Sequence, residues 1–240
     1  MKLSKEKIQY IDTYLKQSGV TYWDVRAELL DHFVMGIEQK MTEKRIGFEE
    51  ALNEITIAFG NTTRKKYVLN VDNTKWIPSG TFSEGEAFKK LQREKQKQIG
   101  KKNFKAYWKE LSTLFFSIKF YVELIFMILL IFTISKYSEK WALGLGFLYV
   151  FHPLFLIGYK YLKGEIPKKS LYIQMSMLGL ILWINIFNLI PNGYRSIYDE
   201  KLDFQMYIWM LIVLFPFIKT SFIRYNKVCE EAKKYYDLIA

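Results

Sequence analysis

Cysteine and histidine are scarce in this chain of 240 residues, which contains one cysteine, Cys229, and two histidines, His32 and His152. A single cysteine excludes an intramolecular disulfide. A zinc site needs three or four ligands, and no Cys or second His lies near His32 in the sequence to complete one. The chain also lacks a phosphate-binding Gly-x-x-x-x-Gly-Lys loop and a Gly-x-Ser-x-Gly nucleophile motif. We therefore expect no catalytic residue, no metal and no cofactor, and predict that the protein is not an enzyme.

Long apolar runs are absent before residue 114, so neither a cleavable signal peptide nor a membrane span is expected there. Four such runs follow, "LFFSIKFYVELIFMILLIFTI", "WALGLGFLYVFHPLFLIGYKYL", "LYIQMSMLGLILWINIFNLI" and "FQMYIWMLIVLFPFIKTSFI". Each is close to the roughly 20 residues that cross a bilayer as a helix. The alternative, four buried helices of a soluble domain, fits poorly with the short charged loops between the runs. We predict an all-α protein with a four-span transmembrane bundle over residues 111–223.

The distribution of basic residues predicts the orientation of the bundle. Bases are concentrated in the link between the second and third spans and in the C-terminal segment 224–240, which we expect to form a separate short helix. The other two links are poorer in base. By the positive-inside rule both termini are cytoplasmic. Cys229 would then lie in a reducing compartment.

The segment just before the first span is much richer in base than the residues that precede it. The net charge is +11, yet residues 1–80 hold 12 basic and 11 acidic residues, whereas residues 81–110 hold 9 basic and 4 acidic ones. Ser83 and Glu86 form a capping-box pattern that predicts a helix through this segment, along the membrane surface or into the first span. A plain solvated face is the alternative. Membrane lipid is the expected partner of its lysines, and no direct contact with nucleic acid is expected. The headgroup candidates are Lys89, Lys90, Lys101, Lys102 and Lys105.

Residues 1–60 predict a module of three short helices. The first covers residues 3–18 and stops at Gly19, and the third covers residues 48–59 and stops at Gly60. The second is predicted to begin at a capping box formed by Thr21 and Asp24. Its apolar residues at alternating spacings of four and three predict one buried seam: Trp23, Ala27, Leu30, Val34, Ile37 and Met41. Residues 61–80 lack helical periodicity and indicate an extended linker or a small irregular cap before the basic helix.

The same helix brings together acidic residues and one histidine. Glu28 and His32 lie one turn apart opposite Leu30, with Asp24 and Asp31 on the flank. This pattern favours a solvated face or a partner-docking surface. A weak pH-responsive ion pair and a metal or catalytic site are the alternatives.

A few polar residues fall inside the predicted spans, where they are costly. Glu123 lies one turn from Lys119, which predicts a mutual ion pair at the end of the first span. We predict that hydrogen bonds between helices are formed by Asn185, Asn188 and His152. A ligand-sensing cluster of the same three residues is the alternative. The sequence Pro191-Asn192-Gly193 predicts a turn that ends the third span.

Three stretches of the module, "YIDTYLKQSGV", "VRAELLDHFVMGIEQKM" and "GFEEALNEITIAFG", resemble the HAAS domain. This is a small helical signalling module of bacterial membrane proteins associated with PadR-type transcriptional regulators. The resemblance covers roughly residues 1–60 and none of the membrane part. It implies a bacterial inner membrane location and a cytoplasmic interaction module without catalysis. It also implies a PadR-like regulator as a separate protein partner, because this chain has no helix-turn-helix motif.

These observations predict a non-enzymatic integral membrane protein of signalling or regulation. The alternative function is an accessory membrane subunit of a transporter complex, in which the spans pair with a permease. Co-purification of a regulator or of a permease separates the two.

Overall fold

A computed structural model describes residues 2–61, 63–69, 76–83, 85–198 and 203–239, with the backbone alone for 63–69, 76–83 and 239. The chain forms two compact units. Unit 1 comprises Met1–Gln98 with Lys169–Leu171, and unit 2 comprises Ile99–Lys168 with Tyr172–Leu238. The elements in chain order are α1 (Lys5–Gln17), α2 (Trp23–Lys44), α3 (Phe48–Ala58), β1 (Thr63–Leu69), β2 (Trp76–Ser83), α4 (Glu86–Phe115), α5 (Ile118–Ser135), α6 (Glu139–Leu162), α7 (Leu171–Tyr198) and α8 (Phe204–Ile239).

The helical fold class and the four predicted spans are confirmed. Within the described residues four helices, α5 to α8, are long and apolar enough to cross a membrane, as in a multi-pass integral membrane protein. Many of their large apolar side chains are exposed on the protein surface, including Leu129, Phe155 and Trp209. Membrane lipid covers such side chains, which have no favourable place in water.

Helices α1, α2 and α3 build the core of unit 1 around Ile11, Leu15, Phe33 and Leu52. The predicted ends of α1 and α3 are confirmed, because Gly19 and Gly60 follow these helices with φ of +94° and +83°, which glycine adopts without strain.

The buried face of α2 differs from the predicted seam. Val25, Leu29, Phe33 and Ile37 are buried, whereas most of the predicted seam residues are only half-buried: Ala27, Leu30, Val34 and Met41. The physical reason is that α1 and α3 both pack on α2, so the buried face lies between the two contacts and not along the most regular apolar stripe.

In the predicted linker 61–80, the described residues 63–69 and 76–80 belong to strands, which contradicts an irregular structure there. Strands β1 and β2 form an antiparallel pair in which Thr63 lies opposite Ser83 and Leu69 opposite Trp76. The register shifts between Lys66 and Tyr67, a β-bulge. The pairing satisfies the backbone groups of residues that lack a helical period.

Helix α4 begins within unit 1, which extends past the predicted boundary at residue 60. Phe88 is fully buried, with ring centroids 5.9 Å from Phe33 and 6.2 Å from Phe59. The helix begins at Glu86 and Ser83 belongs to β2, so the predicted start at Ser83 is wrong. Gly85, with φ of +68°, precedes the helix, and a Cβ there would collide with the carbonyl of Ser18. Only glycine fits this approach.

A charged contact joins α2 to α3. Glu54 of α3 accepts hydrogen bonds from Lys40 at 2.5 Å and from Lys44 at 2.8 Å. Hydrogen bonds to the ionised form favour it, so they hold the pKa of Glu54 below its ordinary value.

Unit 2 contains the spans. At Gly146 of α6 a Cβ would lie 2.9 Å from Ile131 Cδ1 and 3.3 Å from Leu211 Cδ1, so three helices approach closely here. Small residues allow this packing between membrane helices, where apolar burial alone gives little driving force.

Two predicted helix ends are wrong. Helix α7 continues through Pro191 to Tyr198, and α8 runs without a break from Phe204 to Ile239, so residues 224–240 are not a separate helix. Membrane helices tolerate an internal proline where other groups satisfy the freed carbonyl. Segment 224–239 contains no glycine or proline, so its change in polarity does not end the helix.

Candidate functional site

Asp24 does not belong to the exposed acidic surface predicted for α2, because its side chain is buried in unit 1. Its Oδ2 accepts a hydrogen bond from Ser170 Oγ at 2.8 Å, and its Oδ1 accepts one from the Val25 N–H at 3.0 Å. The Trp23 N–H donates to the Lys169 carbonyl at 3.2 Å. Segment Lys169–Leu171 thus covers the start of α2, which sequence spacing could not indicate. Asp24 is a structural residue and not part of a docking surface.

The predicted cap by Thr21 is also absent, because Tyr22 is the N-cap residue.

Asp24→Ala is expected to destabilise unit 1 by about 1.5–3 kcal/mol, the usual contribution of a hydrogen bond to a charged group. The matched control is Asp31→Ala, which removes an exposed carboxylate of the same helix and is expected to change stability by less than about 0.5 kcal/mol. The measurement is the urea midpoint at which unit 1 of the full-length protein in detergent becomes sensitive to protease. Equal effects of the two substitutions would contradict the structural role.

The other predicted docking residues are exposed. The side chains of Asp31 and His32 are exposed, and Glu28 forms an ion pair with Lys95 at 2.5 Å. Met35, 70% exposed, follows on the same helix. The spacing i, i+3, i+4, i+7 puts these side chains on one face. We call the set Glu28, Asp31, His32 and Met35 the outer stripe of α2.

The five predicted lipid-headgroup lysines of α4 are all exposed: Lys89, Lys90, Lys101, Lys102 and Lys105. Exposure leaves them available to phosphates. Their contact with lipid stays a prediction.

The predicted polar links within the membrane are not formed as expected. His152 Nδ1 lies 2.8 Å from the Tyr149 carbonyl, and Asn185 Nδ2 donates to the Ile181 carbonyl at 2.8 Å. Both partners belong to the same helix as the side chain. His152, Asn185 and Asn188 are all exposed on the protein surface. A polar side chain that faces lipid can form its hydrogen bond with a backbone carbonyl of its own helix. The predicted hydrogen bonds between helices are therefore wrong for His152 and Asn185.

Glu123 does not pair with Lys119, which is exposed. Its carboxylate instead accepts a hydrogen bond from Lys219 of α8. The pair joins the first span to the fourth. Helical spacing could not predict this contact, since the two residues are distant in the sequence.

A groove between α4, α7 and α8 in unit 2 has a volume of about 390 Å³. This lies within the range of about 300–1,000 Å³ typical of small-molecule sites. Its walls are mainly apolar: Phe104, Tyr107, Trp108, Met175, Leu178, Leu182 and Trp183. Burial raises the pKa of Tyr107 to about 12, so its hydroxyl stays protonated and donates to the Phe217 carbonyl at 3.3 Å.

Asn103 and Arg224 line the same groove and give it a polar part. Arg224 Nη2 donates to Asn103 Oδ1 at 2.8 Å, and Arg224 Nη1 lies 3.7 Å from Glu110 Oε1. Lys227 also pairs with Glu110, at 3.0 Å. Two cations therefore share one carboxylate, which leaves one positive charge in excess.

Two donors of this polar part lack a partner within the described part of the chain, Arg224 Nε and Asn103 Nδ2. Buried donors without partners are costly, so an acceptor at this place would be stabilised. Neither residue stands out in the sequence. Arg224 is one of several bases after the fourth apolar run, and Asn103 is a neutral residue among lysines. The only available signal is an arginine at the border of an apolar run, which is common in membrane helices.

No protein-family model, no curated protein and no solved structure matches this chain. Among the residues that the structure describes, no three His, Cys, Asp or Glu side chains are grouped as for a metal ion.

Proposed function

We propose that the protein is a non-enzymatic membrane signalling or regulatory protein in which unit 1 binds a cytosolic protein partner. The resemblance of residues 1–60 to the HAAS domain suggests a PadR-like transcriptional regulator as that partner. The proposal needs no reaction at the protein itself, only a binding surface on unit 1.

The observation that carries the proposal is the outer stripe of α2. Met35 is 70% exposed between charged and polar neighbours on a unit that has its own buried core. Methionine side chains are flexible and polarizable and are often used at protein-binding surfaces. Positions i, i+3, i+4 and i+7 are those through which a helix contacts a partner groove. Asp31 and His32 beside Met35 would add polar contacts at its rim.

Met35→Lys tests the proposal, because it replaces the exposed apolar side chain by a charge without touching the core. The matched control is Ile57→Lys on α3, where the isoleucine is 54% exposed. We expect Met35→Lys to weaken regulator binding at least about tenfold, corresponding to about 1.4 kcal/mol. Ile57→Lys should leave it within about twofold. The measurement is affinity capture of a PadR-like regulator by the full-length protein in detergent, followed by titration of the purified pair.

Three results would contradict the proposal. The first is equal loss with both substitutions, which would indicate a general effect on unit 1. The second is regulator binding that is unaffected by Met35→Lys. The third is capture of a permease in place of any regulator, retained by the wild type and both variants, which would favour the accessory subunit of a transporter.

For location we propose the inner membrane of a bacterium, with both termini cytoplasmic. The support is the excess of base in the link between α6 and α7. An impermeant maleimide applied to intact cells should label Tyr137→Cys, in the link between α5 and α6, and not Glu165→Cys. Labelling of Glu165→Cys alone would reverse the orientation.

A further inference from the structure

We propose that the groove between α4, α7 and α8 binds an anionic phospholipid of the bilayer, with the acyl chain on the aromatic wall and the phosphate at Arg224 and Asn103. This inference is independent of the signalling proposal, since a lipid site would serve a regulator and a transporter subunit equally.

The apolar wall fits a chain and not a polar ligand. Phe104, Trp108 and Trp183 present ring surface, and Met175 adds a flexible side chain beside it. Phe104 is 65% exposed and Trp108 48% exposed, so both offer uncovered apolar area. An acyl chain can cover this area by van der Waals packing against the rings. Tryptophan and tyrosine are also the residues that favour the border between acyl chains and headgroups.

The polar part fits an oxyanion. An arginine guanidinium has five N–H donors in a planar fork that matches phosphate. Here the structure gives Arg224 one hydrogen bond, to Asn103, and a longer contact of 3.7 Å to Glu110. Arg224 Nε and Asn103 Nδ2 remain without acceptors in the described part of the chain. A phosphate oxygen supplies what these donors lack, and the excess positive charge favours it.

A bilayer lipid is favoured over a ligand from solution by the helices that form the groove. Met175, Leu182 and Trp183 belong to the third candidate span and Arg224 to the fourth, so the groove adjoins the region that lipid occupies. The exposed bases Lys101, Lys102 and Lys105 on α4 add attraction for an anionic leaflet. Basic pockets between membrane helices are known to hold anionic headgroups.

The experiment uses the full-length protein in nanodiscs of phosphatidylcholine with and without phosphatidylglycerol, extracted into a neutral detergent. Native mass spectrometry then counts the phosphatidylglycerol that remains bound. The variants are Arg224→Gln, which removes the fork, and Gly179→Leu, which fills the apolar wall of the groove. The matched control is Lys227→Gln, which removes a cation of the same cluster whose residue does not line the groove. A competition arm adds free oleate, an anionic amphiphile that reaches the protein from solution.

We expect Arg224→Gln to reduce retained phosphatidylglycerol about tenfold, since a charge-assisted bond is lost. Gly179→Leu should reduce both lipids, and Lys227→Gln should change retention less than about twofold. If Arg224→Gln does not fold, Arg224→Lys replaces it and is expected to lose retention as well, because lysine lacks the fork.

Unchanged retention in the arginine variant, or an equal loss with Lys227→Gln, would overturn the proposal in favour of unspecific attraction to charge. Retention that Gly179→Leu leaves unchanged would place the lipid elsewhere. Binding of oleate with no retention of phosphatidylglycerol would make a soluble amphiphile the occupant. None of these results changes regulator capture by the outer stripe, so failure of the lipid site and failure of the signalling proposal are distinguishable.

Discussion

Replacing Phe33 with alanine is expected to destabilise unit 1 by about 3–5 kcal/mol, the usual cost of removing a buried aromatic ring. Phe33 is fully buried, and its ring stacks on Phe59 with centroids 5.1 Å apart and meets Phe88 at 5.9 Å. The three rings come from α2, from the end of α3 and from α4. Their contact therefore connects α4 with the predicted module, and its loss leaves a cavity at this junction.

The measurement is hydrogen exchange of the α1, α2 and α3 amides in the full-length protein in detergent, read beside the urea midpoint for protease sensitivity. Met35→Ala is the matched control, because Met35 is on the same helix and exposed, and its expected effect is below about 0.5 kcal/mol. Phe88→Ala should resemble Phe33→Ala if α4 belongs to the core of unit 1. A stable Phe88→Ala variant beside an unstable Phe33→Ala variant would restrict the core to residues 1–60.

The second large effect is expected at the pair of Glu123 and Lys219. Glu123→Gln leaves the ammonium of Lys219 without its counter-charge beside lipid, at a cost of up to about 3 kcal/mol. Both side chains are partly buried, Lys219 at 23% exposure and Glu123 at 32%. We expect a lower Tm for the full-length protein in detergent. Partial recovery is expected in Glu123→Gln combined with Lys219→Met, because that variant removes both charges.

Lys119→Gln is the matched control for this pair. Lys119 is the partner that helical spacing predicts for Glu123, but it is exposed and its removal should change stability by less than about 0.5 kcal/mol. If Lys119→Gln lowered the stability as much as Glu123→Gln does, the result would favour the pairing of Glu123 with Lys119 that the sequence predicts. The double-mutant cycle of residues 123 and 219 should show a coupling of about 0.5–3 kcal/mol.

Errors in the predicted helix ends have a common physical origin. Pro191, a residue that usually ends helices, lies within α7. The change from apolar to charged residues before Arg224 does not interrupt α8. Local propensity is a weak preference that long-range packing overrides. The sequence does not predict the pairing of β1 with β2 for a related reason, since pairing depends on which second strand is adjacent and not on either strand alone.

Predictions for single residues succeeded where exposure follows from helical phase. Asp31 is exposed because it lies opposite the buried face of α2, His32 is exposed on the flank of that face, and the lysines of α4 are exposed as their charge requires. Asp24 lies on the same side of the helix by phase, yet it is buried by Ser170 from a segment more than a hundred residues away. Its burial depends on tertiary contacts.

The sequence by itself determined the helical class, the four spans and the position of the basic segment, because length, apolar content and charge act on each segment separately. Only the tertiary structure decided which face of α2 is buried, that Glu123 pairs with Lys219, and that Asn103 and Arg224 meet in an apolar groove. Each of these depends on contacts between residues distant in the chain, which a hydrophobic period within one helix does not encode.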